Sequence, residues 1–219
     1  MIPATLIQSE EYPLSTSLIG FNQDRARWYD LLAFIVCLGV GILASTIGAS
    51  REVGHWGVEI DFFGRDVGQA QNVLSGQPYT NQHYPPGYAY VLANVSLLTD
   101  DFFKAGIVIF IVASTFLGLA SYGIVTVLFD RRLAFVTTLF VLFALLPHSF
   151  VASTDVLANF LLLLPLWVLL RRESTMRVCF QWGLTAGLAY LVRYNAVFVL
   201  IGIPLALLFL SPAEDSMRQ

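Results

Sequence analysis

The sequence has few charged residues, and this shortage excludes most classes of soluble protein. Only 12% of the 219 residues are charged, whereas a soluble domain averages roughly 25%. Hydrophobic residues make up 57%, and the mean hydropathy is +0.70. Because no soluble fold can bury so much apolar surface, the composition excludes a water-soluble enzyme and predicts a helical membrane protein.

Lysine and cysteine are also scarce, and the cysteines are not spaced as metal ligands would be. The basic residues are eleven arginines and one lysine, and the net charge is −3, so the chain lacks the basic stripe of a nucleic-acid-binding protein. Cys37 and Cys179 lie in or beside apolar blocks without partners at metal-ligand spacing, which argues against a disulfide or zinc framework. We therefore expect no metal, no cofactor and no nucleic-acid partner.

The apolar blocks predict an all-α integral membrane protein with about six transmembrane helices. Residues 1–28 are polar and predict a cytoplasmic tail, 29–211 form the transmembrane domain, and 212–219 form a second cytoplasmic tail. The last two spans form a hairpin over Val178–Leu210, with Arg193, Tyr194 and Asn195 at its turn. The earlier spans are predicted at Tyr29–Gly48, Ala105–Phe129, Leu133–Pro147 and Val156–Leu170.

The first outer loop, residues 49–104, is the longest polar stretch between spans. An apolar stripe within it predicts an amphipathic helix in the membrane interface, with Asp61, Arg65, Gln69 and Asn72 off the stripe. After a Pro-Pro turn, the apolar run Tyr88–Leu98 is too short to span and predicts a re-entrant or interfacial segment. The stripe consists of Ile60, Phe63, Val67, Ala70 and Leu74.

The arginines predict which side of the membrane each loop faces. Eight of them lie in the two tails and in the loops after the second and fourth spans. The positive-inside rule makes that side cytoplasmic. The loop 49–104, the loop Pro147–Asp155 and the turn at Arg193 therefore share the outer face.

Asp61 is the first candidate for chemistry. It opens the predicted interfacial helix among aromatic residues, and a carboxylate at this place is suited to act as a general base. The alternative is a surface ion pair with Arg65, four residues further along the same helix face. The sequence by itself leaves both interpretations open.

The remaining candidates lie in the other outer loops and in the Pro-Pro turn. A guanidinium at Arg193 would seek an anion such as a lipid phosphate, or it snorkels to the interface as an anchor. Asp155 either reaches an outward-facing cavity or caps the following helix. His83 and Tyr84 precede the rigid Pro85-Pro86-Gly87 turn. His83 binds substrate, or holds a metal together with Asp61 and Glu59, or is a solvated loop residue; a single histidine with scattered acids is a weak metal signal.

These features together resemble the GT-C class of membrane glycosyltransferases, in particular the protein O-mannosyltransferases and the lipid A aminoarabinose transferases. The resemblance rests on motifs in a fixed order and covers about residues 29–210. In chain order they are Asp61 after the first span, then Ala70, Gly76 and Pro78, the Tyr84–Gly87 turn, Thr154-Asp155, and the Gly183–Arg193 stretch.

The resemblance implies an inverting transfer of a sugar from a polyprenyl-phosphate donor to a lipid or protein acceptor on the outer face. Asp61 would deprotonate the acceptor hydroxyl, and Arg193 would hold the donor phosphate. Asp155, His83, Tyr84 and Arg65 would shape the substrate cavity. Bacterial relatives imply the plasma (inner) membrane, with membrane lipids around a multi-pass chain; the endoplasmic reticulum is the alternative.

The sequence departs from the family pattern in two respects. Many relatives carry Asp-Glu at the catalytic position, whereas Phe62 follows Asp61 here. Family members are also longer, so the resemblance implies the N-terminal half, with a second polypeptide as one source of the rest. The alternatives are an inactive remnant of such an enzyme and a non-enzymatic membrane protein such as a transporter subunit or scaffold.

Overall fold

The computed structural model describes residues 16–50, 61–145, 154–171, 176–198 and 201–202, and these residues are mostly helical and include no strand. This result confirms the all-α class. We number the α-helices α1 to α7 in chain order. They are α1 (Thr16–Ser50), α2 (Gly68–Leu74), α3 (Gly87–Thr99), α4 (Phe102–Leu128), α5 (Arg131–Leu145), α6 (Thr154–Arg171) and α7 (Met176–Val192).

Two shorter helical segments complete the described structure. A π-helical turn at Phe62–Val67 runs directly into α2. A 3₁₀ turn at Tyr194–Ala196 follows α7, which agrees with the turn predicted at Arg193. The second span of the predicted hairpin lies largely outside the described residues, as do Ile60, most of the first 28 residues and the tail 212–219.

Two of the described helices are long and apolar enough to cross a membrane, namely Trp28–Ile47 within α1 and Phe102–Leu128, which is α4. The shorter apolar stretch Thr154–Leu170 lies in α6. All three coincide with predicted spans, and α5 coincides with a fourth. The total of about six spans stays a prediction, because it also depends on residues outside the described part.

Helix α4 is the centre of the bundle and contacts α1, α3, α5 and α6. Small buried residues such as Ala113, Ser114 and Gly118 line it, and they allow neighbouring helices to approach closely. A Cβ atom added at Gly118 would lie 2.7 Å from Sγ of Cys37 on α1. The cysteine therefore packs as an apolar filler between two helices.

The outward face of α1 is apolar rather than polar. Leu31, Phe34, Ile35 and Leu43 are all exposed on it. In water such a surface would be unfavourable, whereas lipid chains solvate it, as expected for a transmembrane helix at the edge of a bundle.

The loop predicted as an amphipathic helix is helical, and its buried face matches the predicted one only in part. Val67 and Ala70 of the predicted stripe are buried, whereas Phe63 and Leu74 are exposed. Phe62 and Asp66, which lie outside the stripe, are buried as well. The prediction assumed 3.6 residues per turn, and the π-helical turn has a longer repeat. Positions 62, 66 and 70 are four residues apart and share one face of the helical segment, and an acidic residue is buried where the pattern predicted only apolar ones.

The predicted re-entrant segment is helix α3, which spans thirteen residues and is about 20 Å long. Tyr88, Leu92 and Ala93 on this helix are buried and belong to a core cluster that also contains Phe62, Ala105, Ala158 and Val192. This cluster joins the π-helical turn to the beginnings of α4 and α6 and to the end of α7. We call this end of the molecule the polar end, because Asp61, Arg65, Asp66, Asp155 and Arg193 lie there.

Candidate active site at the polar end of the bundle

The π-helical turn carries an ion pair that is largely shielded from solvent. Nε of Arg65 donates to Oδ1 of Asp66 at 2.7 Å, and Nη2 donates to Oδ2 at 2.9 Å. The side chain of Asp66 is 9% exposed and that of Arg65 is 17% exposed. A bidentate pair of this kind fixes the plane of the guanidinium. Neighbouring residues on an α-helix do not face each other, so the pair is tied to the irregular backbone.

The electrostatics of this pair follow from its burial. Desolvation raises the pKa of the Asp66 carboxyl, and the hydrogen bonds and charge of Arg65 oppose that shift. The hydrogen bond to Asp66 raises the pKa of the Arg65 guanidinium. Arg65 therefore stays cationic at any ordinary pH, and its charge is matched by the carboxylate of Asp66.

An aromatic turn lies against the guanidinium. Cζ of Arg65 lies 4.1 Å from the ring centroid of Tyr84, within the range of a cation–π contact. The hydroxyl of Tyr79 donates to the carbonyl oxygen of Tyr84 at 3.0 Å and also approaches that of Pro85 at 3.4 Å. The rigid Pro-Pro turn is thus held from both sides, and it presents the Tyr84 ring to Arg65.

The segment before this turn is tied back to α2. The amide nitrogen of Thr80 donates to Oε1 of Gln69, and Nε2 of Gln69 donates to Oγ1 of Thr80, each at 3.0 Å. Gly76, with φ of +70°, makes the reversal that brings the two segments together, because a left-handed conformation suits a residue without a Cβ atom.

Asp61 lies at the edge of this group and faces solvent. Its side chain is 79% exposed, and its Oδ2 lies 3.8 Å from Nη1 of Arg65. The ion pair considered from the sequence is therefore present, although exposure makes it weak. An exposed carboxylate beside a fixed cation is also accessible to a substrate hydroxyl, so the contact is compatible with both interpretations of Asp61.

Arg193 meets Asp155 on the other side of the polar end. Nη1 of Arg193 forms an ion pair with Oδ1 of Asp155 and lies 3.4 Å from Oγ1 of Thr154. Asp155 is in the first turn of α6, and Arg193 follows the last residue of α7. Both side chains are a little over two-fifths exposed, so Arg193 keeps an accessible edge for a further anion.

Two tyrosines lie close to Arg193 in the sequence, one before it and one after it. The rings of Tyr190 and Tyr194 lie 5.3 Å apart, and both are partly exposed. Burial raises the pKa of the Tyr79 phenol, and the charges of Asp66 and Tyr194 act on it in the same direction. Tyr79 thus lies near both groups. Aromatic rings together with a few convergent charges are typical of small-molecule sites.

Backbone packing also connects the two arginine groups. A Cβ atom added at Gly87, the first residue of α3, would lie 2.5 Å from the carbonyl oxygen of Leu191 near the end of α7. The Pro-Pro turn beside Arg65 and the turn carrying Arg193 are therefore in direct contact. Of the residues selected from the sequence, Asp61, Arg65 and Tyr84 form one group, and Asp155 and Arg193 form a second one next to it.

His83 is less closely integrated into the site. It is exposed, and its backbone amide donates to Oδ1 of Asn81 at 2.9 Å. Across the described ranges, no group of three or more His, Cys, Asp or Glu residues is arranged to hold a metal ion. The structure therefore gives the His83 ring no defined chemical role, and its assignment to substrate binding stays a prediction.

Sequence reasoning missed three residues of this site, namely Asp66, Tyr79 and Tyr88. Asp66 lies outside the predicted apolar stripe, so the sequence pattern offered no reason to expect the burial of this acid. Tyr88 is buried, and its hydroxyl finds no partner among the residues that the structure describes. The adjacency of Arg65 and Asp66 is visible in the sequence, but the π-helical turn that makes it significant is not.

The apolar helices indicate a helical membrane protein, and the charged, aromatic polar end is a candidate small-molecule site at one end of its bundle. Residues 83–219 match the family model of the dolichyl-phosphate-mannose-protein mannosyltransferases, and this match covers more than half of the chain. The chain belongs to this family and is accordingly a membrane glycosyltransferase of the GT-C type. No curated protein and no solved structure matches it.

The matched range includes part of the candidate site. It contains the Tyr84–Gly87 turn, Asp155 and Arg193, and it begins after Asp61 and Arg65. The family therefore agrees with the resemblance seen in the sequence, and the roles of the individual residues stay proposals.

Proposed function

We propose that this chain transfers a sugar from a polyprenyl-phosphate donor to a hydroxyl group of a lipid or protein acceptor at the outer face of the plasma membrane. The observation that carries the proposal is the grouping of an exposed carboxylate and two arginines at one end of an apolar bundle. Family membership supports the donor class, and the arginine distribution supports the outer face.

Asp61 acts as the general base in this proposal. Its carboxylate accepts the proton of the acceptor hydroxyl while the hydroxyl oxygen forms a bond to the anomeric carbon of the sugar. The bond from that carbon to the donor phosphate breaks, and the polyprenyl phosphate leaves with the electron pair. A single displacement of this kind inverts the anomeric configuration. The high exposure of Asp61 leaves it open to an incoming acceptor.

Arg193 stabilises the charge that develops on the leaving phosphate. Asp155 and Thr154 hold the guanidinium at the end of α7, so that it is in place before the charge forms. Such preorganised donors are usually the largest electrostatic contribution to catalysis. Tyr84 and Arg65 line the acceptor side, and His83 lies on the loop leading to it.

The test is transfer of labelled sugar from a mixed pool of polyprenyl-phosphate sugars by the purified full chain in detergent or nanodiscs. Asp61→Asn should lower turnover by about 100-fold or more, as expected for loss of a general base. The anomeric configuration of the product, read by NMR, tests the inverting course.

Asp100→Asn is the matched control. Asp100 is an exposed acid of the same loop with φ of 54°, a conformation that asparagine also adopts, so this variant should keep full activity. Normal turnover by Asp61→Asn would contradict the role of Asp61. An inactive wild-type chain would contradict the proposal that it catalyses the transfer by itself.

A further inference from the structure

We infer that Asp66 is a positioning residue whose carboxylate clamps Arg65, so that Nη1 of Arg65 is held beside Asp61. Two nitrogens of the guanidinium, Nε and Nη2, are bound to Asp66. The third, Nη1, is the atom that faces Asp61. The inference rests on the proposed function, since the orientation of Asp61 affects transfer only if Asp61 takes the proton.

Burial shows which carboxylate sets the position of Arg65. The side chain of Asp66 is 9% exposed, whereas that of Asp61 is 79% exposed. An exposed pair at 3.8 Å contributes little, whereas a shielded bidentate pair has strong directional hydrogen bonds. The pair with Asp66 therefore determines the position of the Arg65 guanidinium. The exposed carboxylate of Asp61 orients toward that fixed cation.

The Tyr84 ring closes the clamp from the other side. The guanidinium carbon lies 4.1 Å from the ring centroid, and the Tyr79 hydroxyl fixes the backbone of Tyr84. Asp66 thus restrains the guanidinium of Arg65 within the guanidinium plane. The ring of Tyr84 restrains it perpendicular to that plane. A side chain held in this way loses little conformational entropy when an acceptor arrives.

The clamp predicts the local charge at position 61, which can be measured without any glycosyl transfer. A thiol is introduced by Asp61→Cys in a Cys179→Ser background, while Cys37 is buried. The rates of its modification by a sulfonate-bearing and a trimethylammonium-bearing methanethiosulfonate are then compared at low salt. The modification rate with the anionic sulfonate reagent is divided by the rate with the cationic trimethylammonium reagent. This ratio increases with the positive charge near position 61.

Asp66→Asn should lower this ratio by about tenfold or more, because a unit charge about 4 Å away changes each rate by roughly fivefold in water and acts on the two reagents in opposite directions. Simple loss of a negative charge would have the opposite effect and raise the ratio. Tyr84→Ala, which changes no charge and removes a half-exposed ring, should also lower it. Arg65→Gln gives the value expected when the cation is absent.

Combining Asp66→Asn with Arg65→Gln separates the clamp from bulk electrostatics. With no guanidinium to release, loss of the Asp66 charge should raise the ratio instead of lowering it. Folding is checked by the resistance of Cys37 to both reagents before denaturation. If Asp66→Asn does not fold, Tyr84→Ala tests the same clamp.

The outcomes distinguish the clamp from the proposed function. A lowered ratio together with loss of transfer in Asp61→Asn supports both. A lowered ratio with normal transfer in Asp61→Asn supports the clamp and overturns the proposed role of Asp61. A ratio that rises or stays unchanged in folded Asp66→Asn, or stays unchanged in Tyr84→Ala when Asp66→Asn is unfolded, overturns the clamp whatever the transfer assay shows.

Discussion

At the scale of single residues, the polar end contains two arginines that differ in accessibility. Arg65 is enclosed by Asp66 and Tyr84, whereas Arg193 pairs with Asp155 near the surface. A shielded guanidinium with most of its donors occupied is suited to hold other protein groups. A partly exposed one is suited to meet a ligand that arrives from outside. This difference supports the roles proposed above, positioning for Arg65 and donor binding for Arg193.

Arg193→Ala should raise the donor concentration for half-maximal transfer by about tenfold, since a hydrogen bond to a charged group is worth roughly 1.5–3 kcal/mol. Arg193→Lys should recover part of the affinity, because lysine keeps the charge without the planar donors. The measurement is the initial transfer rate as a function of donor concentration.

Arg131→Ala is the control for the Arg193 variants. Arg131 has nearly the same exposure as Arg193 and also pairs with an aspartate, Asp30, at 3.4 Å. It begins α5 and lies in the group predicted to face the cytoplasm. Its replacement should leave the donor dependence unchanged. An equal shift in both variants would show that Arg193 acts through general charge and not through donor contact.

At the scale of helical elements, the π-helical turn and the contact between α3 and α7 position the site. The turn places Asp66 on the buried face with Phe62 and Ala70. The α3–α7 contact brings the Pro-Pro turn against the segment before Arg193. Irregular turns of this kind are frequent at functional sites.

Gly87→Ala should destabilise the protein by about 1–3 kcal/mol, the usual cost of overpacking. The added Cβ atom would meet the carbonyl oxygen of Leu191 at 2.5 Å, and backbone atoms cannot move aside as a flexible side chain can. The two arginine groups should separate slightly as well, which predicts slower transfer at temperatures where the variant is still folded. Thermal unfolding in detergent measures the loss of stability.

Gly183→Ala in α7 is the matched control, because nothing lies within 4 Å of a Cβ atom added there. Alanine favours a helix over glycine by about 0.5–1 kcal/mol, so this variant should be as stable as the wild type or slightly more stable. If Gly87→Ala were equally stable, the close contact between α3 and α7 would not exist in the folded protein.

At the scale of the whole molecule, the other helices pack around α4, and the candidate site residues lie together at the polar end. The described helices bring the beginnings of α4 and α6 and the end of α7 to one place through a single core cluster. The beginning of α5, with Arg131 and Arg132, lies at the opposite end of α4. The arginines predicted that successive loops lie on opposite sides of the membrane. In the structure, the described parts of these loops lie at opposite ends of one bundle.

Labelling in intact cells tests which end faces outward. In a Cys179→Ser background, a thiol introduced by His83→Cys should react with a membrane-impermeant maleimide. One introduced by Phe129→Cys should react only after the membrane is permeabilised. Both positions are exposed in the protein, so accessibility within the fold does not limit either reaction. The reverse pattern would place the polar end in the cytoplasm and contradict the outer-face proposal.

The sequence determined the helical class, the approximate bounds of the helices and most of the candidate site. Long apolar runs have few alternatives to helices in a membrane, and charged residues excluded from the apolar blocks collect at their ends. For this reason the sequence pattern alone is enough to select Asp61, Tyr84, Asp155 and Arg193. The number of spans and the side of the membrane stay predictions.

Only the tertiary structure decided which of these residues meet and which acid is buried. The pairing of Arg193 with Asp155 joins α7 to α6, and no sequence spacing specifies such a contact. The clamp of Arg65 by Asp66 depends on a π-helical turn packed against α3 and α4. Packing of distant segments selects that backbone, and a pattern based on a regular helical repeat cannot reproduce it.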